Sequence, residues 1–310
     1  MLKIRRRTAL IPALACTAAC APVQRPANEP EATSLLGRPL YAPPDTAPCD
    51  CELSVSAMPR AARIDSVIAI GQRLARGWHY RDAVAIYTDG LEIAPGDPRL
   101  YRHRGHRYIT LRRFRDAATD LDRGNALDST SFDIEYHRGL AYYLLGRFEK
   151  AAEIYGRCMA QAERRAGGAG DTSSGTPRLC SDIAIDDDSR VAMTDWRYRA
   201  LRRAGRHAEA AALLPSITDG MRVRENLSYY ENLKRYAGRT TEDAVLTAAG
   251  TDSVRVATSA YAMANLKLVE GDTTGARAML ERIVVSPHWP AFAVIAAEAD
   301  LMRLRQPSVR

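Results

Sequence analysis

The chain has 310 residues, 46% apolar and 26% charged, with a formal charge of +7. That length suits one long helical array or two ordinary domains, with enough apolar residues for a real core. Lys3, Arg5, Arg6 and Arg7 contribute four of the positive charges, so the rest of the chain carries +3; with no long Lys/Arg run elsewhere and none of the usual nucleic-acid modules, nothing points to a nucleic-acid partner.

Residues 1–19 read as an export signal: a cationic start, then an apolar run too short to span a bilayer. The run ends in Thr17-Ala18-Ala19-Cys20, small residues before a cysteine, which resembles the lipobox of bacterial lipoproteins. Cys20 is then the expected lipidation site, and its acyl chains would supply an anchor without a transmembrane helix. Ala13-Leu14-Ala15-Cys16 is a poorer candidate, Thr17 departs from the usual Leu, and a plain secretory cleavage after Ala19 is the alternative. The corresponding locations are a membrane of the bacterial envelope, facing the periplasm or exterior, or a soluble secreted state.

Residues 20–60 hold eight of the sixteen prolines and are expected to be an extended, semi-rigid tether. Cys49 and Cys51 lie in it.

In residues 61–165 one pattern is written three times, 34 residues apart. Gly71, Gly105 and Gly139 share one position; Ala83, Ala117 and Ala151 follow twelve residues later; Tyr87, Leu121 and Tyr155 follow four after that. Small residues at the first two positions and a larger apolar one at the third match the tetratricopeptide repeat (TPR), a pair of antiparallel helices that must stack on its neighbours to bury its apolar face. Residues 166–190, rich in Gly, Ser and Asp, read as a loop insertion in which Asp188 or Ser189 caps the next helix. Asp186-Asp187-Asp188 lacks the spacing of a calcium loop and reads as solvated. The pattern resumes, more degenerate, over 191–286, with Gly238 one residue early for the turn of repeat five. Residues 287–310 form a terminal capping helix and tail. The expected fold is all-α: a TPR helical-hairpin solenoid of about six hairpins, the last three degenerate.

Counting repeat positions places Arg99, Arg102, His106, Tyr136, Tyr143, Arg199, Arg202, Arg203, Tyr229, Tyr236 and Tyr261 on the concave face. Guanidinium forks pair with carboxylates, and tyrosines give rigid contact area with a polar tip, so such a groove suits an acidic peptide segment. The alternative is that the tyrosines pack between hairpins and the arginines are solvated. The set does not match the Lys/Asn carboxylate clamp of chaperone-binding TPRs. His103, His106 and His137 could converge, but the flanking arginines would repel a cation, so no metal is expected. No nucleophile elbow, phosphate loop or HExxH occurs, so neither catalysis nor a cofactor is expected. Cys158 and Cys180 are natural disulfide partners in an oxidising compartment.

A lipobox-like start, three good TPRs, an interruption, weaker repeats and a last helix together resemble the new-lipoprotein-I type of TPR lipoprotein. The resemblance implies a non-enzymatic envelope adaptor, often dimeric, that brings a processing protease to peptidoglycan hydrolases. A lipoprotein receptor for oligosaccharide or small acidic ligands, using the same groove, is the reading from a different class.

Overall fold

The computed structural model describes residues 21–22, 29–44, 49–50, 59–164 and 178–305. The leader, Cys20, Cys51 and the Gly-rich part of the insertion lie outside the described residues.

Six helical hairpins follow one another. They are α1 (Arg60–Arg76) with α2 (Tyr80–Ile93), α3 (Pro98–Thr110) with α4 (Phe114–Leu127), and α5 (Phe132–Leu144) with α6 (Phe148–Arg164). After the insertion come α7 (Asp187–Arg203) with the short α8 (His207–Ala211), α9 (Leu227–Tyr236) with α10 (Glu242–Ala248), and α11 (Ser253–Glu270) with α12 (Thr273–Ile283); α13 (Phe292–Arg305) is last. This is a TPR-like helical array. Among the described residues no helix is long and apolar enough to cross a membrane.

The repeat positions do what their residue types require. A Cβ on Gly71 would run into the Tyr87 ring, one on Gly139 into Tyr155, and one on Gly105 would stand 2.8 Å from Leu121 Cγ. Real Cβ contacts are not that close, so the paired helices can cross only at glycine. Gly105→Leu is therefore expected to destabilise the array by at least about 1–3 kcal/mol, read as a lower melting temperature. An unchanged melting curve would mean that the crossing is elsewhere.

Local chemistry sets the helix starts. Asp97, Ser131, Thr241, Asp252 and Asp272 each accept backbone N–H bonds at a helix head, and Pro98 stands at the first position of α3. Between the two helices of each hairpin one residue is left-handed: Trp78, Arg112, Gly146, Gly205, Gly238 and Gly271. Gly238 is in place, because the spacing there is 33 residues rather than 34. In the first two repeats the turn is held by side-chain-bearing residues, at a cost of about 1–2 kcal/mol each.

The far end of the insertion returns to the head of α5. Ser131 pairs with Leu179, Cys180 N–H donates to Thr130 O at 2.8 Å, and Cys180 opens a 3-10 helix, Cys180–Ala184. Cys158 on α6 is joined to Cys180 by a disulfide, S–S 2.00 Å. With its ends 22 positions apart in the chain, the bridge is worth about 3 kcal/mol by loop entropy. Reduction, or Cys158→Ser, should lower the stability by that order, measured by denaturant titration with and without reductant.

Three expectations are corrected. Asp186, not Asp188 or Ser189, caps α7. The three aspartates are not a solvated loop: Asp187 accepts Arg222 N–H, and Asp188 accepts the N–H groups of Arg224, Glu225 and Asn226, fixing the chain as it enters α9. Part of the proline-rich stretch is not a tether. Its residues 29–44 fold onto the array as a strap, in which β2 (Ala32–Thr33) pairs antiparallel with β3 (Pro39–Leu40) around Gly37, while β1 (Ala21–Pro22) pairs with β4 (Cys49–Asp50). Leu40 is buried with Tyr80 and Trp289.

α13 closes the array as the expected last helix, and it is buried more deeply than an end cap. An end cap would keep one wet face, yet residues 293–301 are buried without a break, including Glu298 and Asp300 at 0% exposure. The segment leading into α13 doubles back to repeat one, and the helix crosses the ends of the first helices of repeats two to four. Trp289 packs edge-on against Trp78 and Tyr80. Phe292 meets His106, Tyr136 and His137. Glu298 binds Arg112, Asp300 binds Arg203, and Arg303 donates to Leu144 O. The strap seals the joint: Leu35 N–H donates to Glu298, Arg38 to Val284 O, and Trp289 Nε1 to Tyr41 O.

Candidate binding cleft

The structure divides the eleven groove residues. Tyr136, Tyr143, Tyr261 and Arg199 are buried. Trp196 Nε1 donates to the Tyr136 hydroxyl at 3.0 Å, and Tyr136 and Tyr229 meet through their hydroxyls at 3.3 Å. The hydroxyls of Tyr143 and Tyr261 lie 3.0 Å apart; Asn265 donates to the first, and the second donates to Asp300 at 2.8 Å. Tyr236 stacks on Tyr198 with ring centres 4.2 Å apart. These five tyrosines pack between helices rather than lining an open groove.

The arginine stripe of α7 is likewise spoken for. Arg199, 1% exposed, pairs with Asp195 one turn earlier and stacks on Trp196. Arg203 pairs with Asp300 at 3.0 Å. Arg202 binds His207 and the Tyr198 hydroxyl. The reason is burial: α7 is covered over most of its circumference, so its charges had to find partners inside the molecule. A carboxylate does meet Arg203, but it is the chain's own, from α13.

Arg99 and Arg102 line an open cleft, and His106 lines the hollow beside it. They belong to α3, whose thirteen residues contain four arginines and two histidines with no acid. Arg99 is neutralised by Asp97 and Asp65, and Arg104 by Asp120. A cleft of about 1100 Å³ runs across the first helices of repeats one to three, lined by Arg60, Ile64, Pro98, Arg102, His103 and Ile134 among others. It meets a smaller hollow of about 230 Å³, lined by Gln72, Arg76, Tyr87, Arg102, His103, His106 and Arg107. Both hollows share Gln72, Arg102 and His103.

The histidines here are neutral. Burial, with the fields of Arg102 and Arg107, pushes His103 down to about 2, His137 down to about 3 and His106 well below its usual value. Their nitrogens serve the protein: His103 Nδ1 accepts from Arg102, His106 Nδ1 accepts from Arg107, and His137 Nδ1–H donates to Asp133 O. Arg107 is pulled down to about 10 by burial, with Arg102 adding repulsion. A different group, Glu31, His79 and Asp82, gathers within 4.8 Å. There Glu31 accepts the Arg81 N–H at the head of α2 and faces His79 at 3.5 Å, which fastens the strap.

Arg107 and His103 were missed by counting repeat positions. The signal was present in the unbroken cationic run of α3, read in the sequence only as an argument against a metal.

No family model matches the chain. RNA polymerase II-associated protein 3 of mouse is 30% identical over 98 residues, covering 30% of this chain. The chain spans 15% of the length of that curated relative. The crystal structure of the P58(IPK) TPR domain aligns with 80% of this chain and 68% of that one, at 16% identity and a TM-score of 0.31. The TPR-like fold is carried by the hairpins, crossings and turn positions of this chain itself.

Proposed function

We propose that the protein is a non-enzymatic scaffold that binds other proteins through the open cleft of repeats one to three. The observation that carries this reading is the cleft: a long concavity on stacked hairpins, with apolar contacts from Ile64, Pro98 and Ile134 and with Arg60, Arg99 and Arg102 matched by Asp97, Asp128 and Asp133. Such a surface suits an extended segment, and the adjoining hollow, lined by Arg76, Arg102 and Arg107 with no carboxylate, suits an acidic residue in it. The site is not the α7 stripe, whose charges are satisfied internally.

We place this scaffold in the bacterial cell envelope, anchored by lipid at Cys20, with envelope proteins as its partners. The leader-like residues 1–19 and the Cys158–Cys180 bridge support an exported, oxidising location. The strap makes the anchor short. Cys20 and Glu29, where the strap begins, are only nine positions apart, a reach of about 30 Å at most. A link between a protease and peptidoglycan hydrolases is the adaptor role that the new-lipoprotein-I resemblance implies.

Two experiments test this. Radiolabelled fatty acid should enter the wild type and not Cys20→Ala; equal labelling removes the anchor. Crosslinking in intact cells followed by pull-down should recover defined protein partners, and their loss on Arg102→Gln would tie them to the cleft. Recovery of a saturable small ligand with no protein partner would favour a receptor instead.

A further inference from the structure

We infer that Arg102 and Arg107 form an anion-binding fork at the inner end of the cleft, built to take a carboxylate, or a phosphate of the same charge chemistry. For the source of the anion, an acidic side chain of a bound peptide, the inference rests on the scaffold reading; for the site itself it does not.

The argument starts from how the two arginines are held. Several guanidinium groups of the array are fixed by carboxylates: Arg104 by Asp120, Arg112 by Glu298, Arg138 by Asp122 and Glu135; Arg202, held by His207 and the Tyr198 hydroxyl, is not. A carboxylate positions a guanidinium and cancels its charge together. Arg102 and Arg107 are instead gripped by the Nδ1 atoms of His103 and His106. A neutral imidazole positions a guanidinium and leaves its charge intact. Among the described residues no carboxylate pairs with Arg107; what surrounds it is Tyr80, Tyr87 and Arg102. Arg102 has only Asp133, at 3.6 Å, and that acid is shared with Arg178 at 2.8 Å. Arg102 Nε is buried with no hydrogen-bond partner. Both arginines line the same hollow of about 230 Å³, a volume large enough for a carboxylate or phosphate with its first waters.

The cost of this arrangement is visible. Burial favours loss of the Arg107 proton, and Tyr80 and Tyr87 offset that only in part, with no carboxylate to help. A charge kept inside at such a penalty is a mark of a binding site rather than of a stabilising contact. An entering oxyanion would accept from the open N–H groups of both guanidiniums, with Arg76 at the rim.

The test uses the full chain without its leader and three probes: inorganic phosphate, glutarate and a glutamate-rich decapeptide, each titrated calorimetrically at low salt. The wild type should bind the decapeptide. Arg102→Gln and Arg107→Gln should each weaken binding at least tenfold, while Arg115→Gln, an exposed arginine of α4, should leave it unchanged. Without any probe, Arg107→Gln should melt higher than the wild type, because an uncompensated charge is gone, and it should lose the rise in melting temperature that the anion gives the wild type. A purely structural arginine would do the reverse. If phosphate and glutarate bind with the same arginine dependence and the peptide does not, the fork stands and the peptide reading falls. If no probe binds, or binding ignores both substitutions, the fork is overturned.

Discussion

Arg112→Ala is expected to lower the stability of the chain by about 3–5 kcal/mol, the cost of stranding a buried carboxylate. Glu298 would be that carboxylate. Its side chain is 0% exposed, and Arg112 meets it through Nε at 3.0 Å and Nη2 at 2.6 Å. The guanidinium also ties Thr110 O and Trp289 O, and it lies over the Trp289 ring. One substitution therefore loosens repeat two, α13 and the Trp289 contact together. The double variant Arg112→Met, Glu298→Leu should regain most of the loss, since an apolar pair of similar volume can replace a buried ion pair. It should not regain all of it, because Leu35 N–H would lose its acceptor. Chemical denaturation of the three variants measures this, and a single variant as stable as the double one would place the pair outside the folding core.

Asp300→Asn is the second large expected effect, again about 3–5 kcal/mol at neutral pH. The residue is fully buried and accepts from Arg203, Arg303 and the Tyr261 hydroxyl. Burial alone would push its carboxyl up, but the two guanidiniums and the hydroxyl outweigh that and hold it below the usual carboxylate value. A depressed folded value means that the stabilisation is complete above the unfolded value, about 4. It is lost as the pH falls through the folded value. The wild type should lose stability steeply below about pH 4, and Asp300→Asn should show a flatter curve there. Parallel acid-unfolding curves would contradict the assignment.

What the sequence allowed to be read followed from how directly each residue type reports a constraint. Gly71, Gly105 and Gly139 mark helix crossings because nothing larger fits, so the period reported the fold. Gly146 and Gly205 mark the hairpin turns for the same reason. Trp78 and Arg112 hide theirs, because what holds them left-handed is a contact with residues some two hundred positions away. The position of α13 was concealed in a similar manner. Its apolar residues surround the helix on every side, which signals full burial rather than a cap, and Glu298 and Asp300 inside that run are carboxylates that had to have partners. Spacing puts the α7 arginines on one stripe, but exposure does not follow from periodicity. Asp195 lay in view one turn away, whereas Asp300 could be matched with Arg203 only in three dimensions.

The joint between strap, repeat one and α13 changes how the array should unfold. In an open solenoid each repeat touches only its neighbours, and the end repeats fray first. Here the Leu35–Glu298 contact spans 263 residues and Arg112–Glu298 spans 186. Among the described residues both ends of the array are therefore fastened to one another, and neither end repeat is left open to unzip. Amide exchange in repeat one should be as slow as in the centre of the molecule, and the chain should melt in one cooperative step. Because α13 follows all six hairpins in the chain, that ring can close only after every hairpin has been synthesised.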